Sequence, residues 1–225
     1  MKHLRDLAMA TLAGVAISIS CIVFLTIENP IIGSLLFSVG LLTVLKLKLN
    51  LFTGKAPYIC NNKPSYILFT LLVWLGNFAG TGLTAFLISF TRIKDKIIER
   101  CISVAQMKIN DNLLSLFILA IFCGIMMYIA VDTYINQSKD KNFTSGLIVV
   151  LCVSVFILAG FEHSVADMFY FIFALPFKQW IIPLLVITAG NIVGGNLFCY
   201  ITKELKLKEN KDVQEAKTTK SNIIK

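Results

Sequence analysis

The string Gly160-Phe161-Glu162-His163-Ser164 sets a carboxylate, an imidazole and a hydroxyl side by side in a long apolar run between Gly146 and Phe173. These are the parts of a hydrolytic relay. They are also the parts of an ion or proton pathway, because polar and ionisable groups at membrane depth are too costly to keep facing lipid. The relay fails on geometry. Adjacent helical residues point about 100° apart, so three in a row do not share one face. No second nucleophile motif appears elsewhere, and the chain reads as a non-enzyme. The pathway reading remains. His163 is one of two histidines, the other being the terminal His3. An imidazole exchanges protons near neutral pH. No Cys-x-x-Cys or Cys/His spacing suggests a metal, and no cofactor is expected.

The residues around this string are those of a membrane protein. The 225 residues are 56% hydrophobic and 15% charged, with a mean hydropathy of +0.77. A spanning helix needs about 20 apolar residues. Six such runs are expected, at Leu7–Ile27, Ile31–Phe52, Ile67–Phe90, Leu113–Ile135, Leu147–Phe173 and Ile181–Ile201. The first lacks a cleavage site and is followed by more spans, so it reads as a helix rather than a signal peptide. An even number of spans puts both ends on one side. Lys2, Arg5 and the lysine-rich tail assign that side to the cytoplasm. This implies a multi-pass protein of the cytoplasmic membrane, with one transmembrane domain over 1–205 and a polar, mobile tail over 206–225. Arg92, Lys94, Lys96, Arg100 and Lys108, between spans three and four, then fall outside, against the usual bias. The net charge of +8 is read as an inner-leaflet bias together with the polar tail. No soluble domain is left to bind nucleic acid. Cys21, Cys123, Cys152 and Cys199 lie in spans, while Cys60 and Cys101 fall in loops on opposite sides, so no disulfide framework is expected.

The chain repeats itself. Gly76-Asn77-x-x-Gly80 in span three returns as Gly190-Asn191-x-x-Gly194 in span six. The polar interruption Leu51-Phe52-Thr53-Gly54 in span two is matched by Gly160-Phe161-Glu162-His163 in span five. Two halves of three spans each, about 4–91 and 112–202, must be inverted, and interrupted helices in matching places mark a midplane site. The Gly-x-x-x-Gly spacing also lets helices approach closely. Span two is expected to break near Asn50, since Lys46, Lys48 and Asn50 precede the interruption; the two lysines are read as snorkelling to headgroups.

At these residues the chain resembles the formate/nitrite transporter family of pentameric anion channels. Leu51-Phe52-Thr53-Gly54 carries the resemblance in span two. Phe161-Glu162-His163-Ser164-Val165-Ala166-Asp167-Met168-Phe169 carries it in span five, and Gly190-Asn191-Ile192-Val193-Gly194-Gly195 in span six. Lys108, ahead of Cys123, fits as well. The resemblance implies an all-α, aquaporin-like protomer of six helices with the second and fifth interrupted. It implies a homopentamer in a lipid bilayer with one pore per protomer. It implies small monovalent anions of weak acids, or their neutral acids: formate, nitrite, hydrosulfide, acetate or lactate. By position, Thr53 is the re-entrant threonine, Lys108 the vestibule lysine, and His163 the pore histidine preceded by Glu162. Phe37, Leu41, Leu51 and Phe156 fall where the family has constrictions. Gly54, Gly76, Asn77, Gly160, Gly190, Asn191 and Gly194 serve the breaks and the packing. Two departures stand out: Cys123-Gly124 where the family has Cys-Asn, and Asn50 where it has an acidic residue.

An anion in a narrow apolar pore faces a penalty of at least about 3 kcal/mol, which its neutral acid avoids. Lys108 is expected to draw the anion into a vestibule, and His163 to give it a proton or a hydrogen bond, with Thr53 assisting. Glu162 is expected to satisfy loop amides or a buried polar group, and Asp167 to pair or cap. An aquaporin-like pore for neutral solutes is the rival reading; it has no use for Lys108 and His163, and two Asn-Pro-Ala motifs are missing.

Overall fold

In a computed structural model describing residues 2–136 and 142–223, with side chains over 2–136 and 143–207, the described chain is helical and contains no strand. Among the described residues, four helices are long and apolar enough to cross a bilayer: α1 (Lys2–Thr26), α4 (Ser65–Ile88), α6 (Leu113–Ile135) and the Phe177–Leu207 stretch of α9 (Phe177–Ile223). At about 1.5 Å per residue, each exceeds a hydrocarbon core of about 30 Å. α2 (Pro30–Lys46) and α7 (Asn142–Leu158) have 17 residues each and fall short. Each is continued beyond a break. After α2 come the single turn α3 (Phe52–Lys55) and a 3-10 segment (Ala56–Asn61); after α7 comes α8 (Ser164–Ala174). The remaining described helix, α5 (Ile93–Ile109), lies between α4 and α6.

The breaks share one local chemistry. α2 ends with Leu49 N–H donating to Val44 C=O and Lys48 N–H to Leu45 C=O. α7 ends with Phe161 N–H donating to Phe156 C=O and Gly160 N–H to Ile157 C=O. Both are Schellman caps, which require a left-handed residue at the turn. Gly160 supplies it at φ 72° and Lys48 at φ 55°. Glycine adopts this conformation freely; lysine does so at a cost of about 1 kcal/mol. The first break therefore begins at Leu47, earlier than Asn50 suggested, because the left-handed position is held by Lys48 rather than by the glycine that usually marks such a cap. Gly54, expected to help break the helix, is instead helical, and a Cβ there would sit 3.5 Å from Val131 in ordinary contact.

The long helices pair in the same way twice. α1 packs on α4 and α2, α6 packs on α9 and α7, and α2 meets α7. At the first crossing a Cβ on Gly80 would collide with the Thr11 carbonyl, and one on Gly14 with the Asn77 carbonyl. At the second, a Cβ on Gly194 would collide with the Ile121 carbonyl, one on Gly190 would come within 2.6 Å of the Phe117 carbonyl, and one on Gly124 would strike the Asn191 carbonyl. Gly76 is closed in by Ala10 and Leu7. Gly124 thus has a packing role. It is the counterpart of Gly14 at a backbone-to-backbone crossing.

α5 corrects the reading of a charged connection. Ile97, Cys101 and Ala105 recur every four residues and are buried, so Cys101 lies on a helix rather than in a loop. Arg100 donates to the carbonyls of Leu25 and Ile27 at the end of α1, and its guanidinium lies 4.9 Å over the Phe24 ring. All six cysteines are free. The tail expected over 206–225 continues as helical backbone to Ile223, and its side chains from 208 onward lie outside the described residues.

Candidate functional site

The two breaks meet. Thr53, in the single turn α3, and His163, at the start of α8, share a buried hydrogen bond of 2.9 Å between Oγ1 and Nε2. Two asparagines hold the broken backbones around it. The Asn77 carboxamide accepts from Phe52 N–H (2.8 Å) and donates to the carbonyls of Ala10 and Asn50 (2.8 and 2.9 Å). Asn191 accepts from Ser164 N–H (2.9 Å) and donates to the carbonyls of Ala120 and Glu162 (2.9 and 2.8 Å). Backbone groups freed from a helix at this depth need such partners. Each asparagine also ties its break to the neighbouring long helix.

His163 is the N-cap of α8. Its Nδ1 accepts from Ala166 N–H at 3.1 Å. That nitrogen therefore carries no proton, and the ring proton sits on Nε2. Nε2–H donates to Thr53, whose own hydroxyl hydrogen is left for another acceptor. Phe156 stacks on the imidazole, centroids 5.5 Å apart and planes 16° apart, and Phe37 meets Phe156 edge-on at 6.2 Å. Ser164 Oγ has no hydrogen-bond partner, so it forms no relay with His163 or Glu162.

Two cavities flank this centre, and they share no lining residue. One, of about 170 Å³, is lined by Phe37, Phe156, His163, Lys108, Glu162 and Asp167, among others. The other, of about 480 Å³, is lined by Leu41, Leu51, Gly54, Lys48, Lys55 and Val131, among others. The four residues expected at constrictions are all buried, at 3% exposure or less. They divide in pairs, Phe37 and Phe156 at one cavity and Leu41 and Leu51 at the other. Lys48, expected only to snorkel, lines the second.

The charges are arranged less simply than expected. The Lys108 side chain, 12% exposed, reaches from α5 to the Glu162 carboxylate and to Asp167 Oδ1 at 3.0 Å. Its charge is thus compensated inside the protein. Of the two partners expected for Glu162, loop amides or a buried polar group, its carboxylate takes the second, Lys108, and its backbone carbonyl accepts from Asn191. Asp167 pairs, and its Oδ2 is buried without a partner. Among the described residues no group of His, Cys, Asp and Glu could hold a metal ion.

The sequence reading missed Asn196 and Lys55. Asn196 accepts from Cys60 N–H and donates to the Ala56 carbonyl, anchoring the 3-10 segment. A carboxamide inside an apolar span was the available signal.

The family model described as "Formate/nitrite transporter" matches residues 1–203. The chain belongs to the formate/nitrite transporter family. It is therefore a multi-pass membrane protein of a family of transporters rather than of enzymes. It is 27% identical to the formate channel FocA of Haemophilus influenzae, over 74% of this chain and 70% of that one. It is 24% identical to FocA of Escherichia coli, over 89% and 86%. Its fold matches a solved "Pentameric formate channel with formate bound" at TM-score 0.78 and 23% identity, covering 92% of this chain and 98% of that one. It matches an "FNT family ion channel" at TM-score 0.80 and 21% identity, covering 90% of each.

Proposed function

We propose that this transporter conducts small monovalent anions of weak acids, such as formate, nitrite or hydrosulfide, and that they cross its centre as neutral acids. The observation that carries this reading is the buried Thr53–His163 hydrogen bond where two broken helices meet between two cavities. A centre walled by Phe37, Phe156, Leu41 and Leu51 is apolar enough to exclude an ion and still has hydroxyl and imidazole hydrogens to offer a polar guest. His163 acts as the hydrogen-bonding station. Its Nε2–H and the Thr53 hydroxyl take turns on the substrate and on each other. Lys108 offsets the carboxylates of Glu162 and Asp167, which otherwise close that mouth to anions.

The wider architecture follows. Six spans form two inverted halves, about 4–91 and 112–202, in an aquaporin-like protomer. Recurrence of the asparagine clamp and of the Schellman cap supports it. Five protomers assemble in the cytoplasmic membrane with both termini inside, in line with the pentameric formate channel that shares the fold.

The deciding experiment is flux into proteoliposomes for formate, nitrite, hydrosulfide, acetate, lactate and water. Wild-type protein should carry at least one of the anions in preference to water. His163→Phe should abolish that flux while the assembly keeps its size. Undiminished flux in this variant removes His163 from the pathway, and water flux without anion flux favours a neutral-solute pore.

A further inference from the structure

We propose that Glu162 and Asp167 bind one proton between them, with Lys108 as fixed counter-charge, and that this couple is the acid that protonates the travelling anion. The inference rests on the proposed anion function and names its proton donor.

His163 is poorly placed to be that donor. Its Nδ1 is held by Ala166 N–H, so the ring has a single proton, on Nε2 and committed to Thr53. Giving up that proton creates an imidazolate, and gaining a second breaks the cap of α8. The proton has to come from another group at the same cavity.

Charge counting points to the carboxylates. One ammonium meets two carboxyl groups, and the Glu162 and Asp167 side chains are 6% and 1% exposed. Fully ionised, the trio carries a buried net charge of −1, which desolvation penalises heavily. A net negative mouth also repels the proposed substrate. One shared proton removes both penalties, as expected for two carboxyl groups that compete for one site. Asp167 Oδ2 is buried, has no partner, and belongs to a residue lining the cavity that also contains His163. It is the free position for an acidic hydrogen.

The other groups around Asp167 do not supply the charge. Lys108 and Glu162 are the charged groups that act on it. α1 contributes the Cys21 thiol, which donates to the Ala166 carbonyl; α6 contributes Cys123; α8 itself contributes the Tyr170 phenol, beside Cys101 of α5. All are neutral when protonated. α4 and α9 bring Asn77 and Asn191 to the centre, which do not titrate.

The step balances. The carboxylic O–H bond breaks, an O–H, N–O–H or S–H bond forms on the anion, and the neutral acid moves on past His163. The trio is left at −1 and regains its proton from solvent on the same side. Anion and proton thus enter together and no net charge crosses.

The test uses full-length protein in liposomes, with formate as the probe anion and a trapped dye reporting internal pH. Wild type should take up one proton per formate, with flux falling as pH rises and the couple loses its shared proton. Asp167→Asn leaves a Lys108–Glu162 ion pair of zero net charge, in which neither carboxyl is driven to hold an acidic proton. Assembled D167N should lose flux on the order of a hundredfold, the usual contribution of a general acid, and its residual flux should no longer carry protons. D167N with wild-type flux and one proton per formate overturns the proposal. Infrared difference spectra of the wild type decide independently of whether D167N assembles. A protonated-carboxyl stretch at neutral pH that shifts on deuteration is expected, and its absence overturns the inference. That readout needs no transport, so a wild type that carries no formate sinks the function reading and leaves the proton couple to be judged on its spectrum.

Discussion

Thr53 shows what one hydroxyl contributes at the centre. It accepts the only ring proton of His163 in a buried site. Thr53→Val keeps the shape and removes the acceptor, leaving Nε2–H unsatisfied at a cost of about 1 to 3 kcal/mol. Thr53→Ser retains the hydroxyl. Flux should fall at least tenfold in T53V, a loss of at least about 1.4 kcal/mol read from transport, and stay within about threefold of wild type in T53S. Loss in T53S with T53V spared would assign the effect to the β-branched methyl instead. The residue scale is also where sequence reading reached its limit. Thr53 and His163 were legible because a polar pair in an apolar run has few innocent explanations. The salt bridge of Lys108 was not, because its partners lie far along the chain, Glu162 in the second break and Asp167 in α8, and α5 looked like a charged loop. The buried stripe of Ile97, Cys101 and Ala105 was present in the sequence but masked by the basic residues between its members. The packing role of Gly124 was legible only inside the chain, in its likeness to Gly14, and a comparison with one family position does not reveal it.

Whole elements depend on two carboxamides. Asn77 and Asn191 each satisfy three backbone groups that a broken helix leaves free. Removing either leaves up to three buried groups unpaired, each worth about 1 to 3 kcal/mol. Asn77→Ala and Asn191→Ala should therefore lower the unfolding temperature by similar amounts, measured by thermal scanning in detergent. A large loss from one and none from the other would mean that the two breaks are not equivalent. The caps that begin the breaks differ in a telling way. Gly160 takes the left-handed turn at no steric cost, while Lys48 takes it under strain and lines the larger cavity. Lys48→Gly should stabilise the protein by about 1 kcal/mol. If it also reduces flux, strain was being retained for the charge.

Taken whole, the molecule looks at odds with the positive-inside bias, since α5 brings Arg92, Lys94, Lys96, Arg100 and Lys108 to the side opposite the termini in the proposed topology. The structure suggests why insertion tolerates this. Arg100 is consumed by the carbonyls ending α1 and by the Phe24 ring, and Lys108 by two carboxylates. These two cations serve internal contacts. The topogenic signal is then left to the free charges near the spans, Lys2 and Arg5 at one end and Lys203 and Lys206 at the other. A labelling tag at each terminus should therefore react only from the cytoplasmic side of intact cells, while a single cysteine at Lys96, in a background with Cys60 replaced by serine, should react only from outside. Labelling of Lys96→Cys and of the termini from the same side would break the six-span count. It would also move Lys108, Glu162 and Asp167 to the inner mouth, and the proton and anion would then load from the cytoplasm.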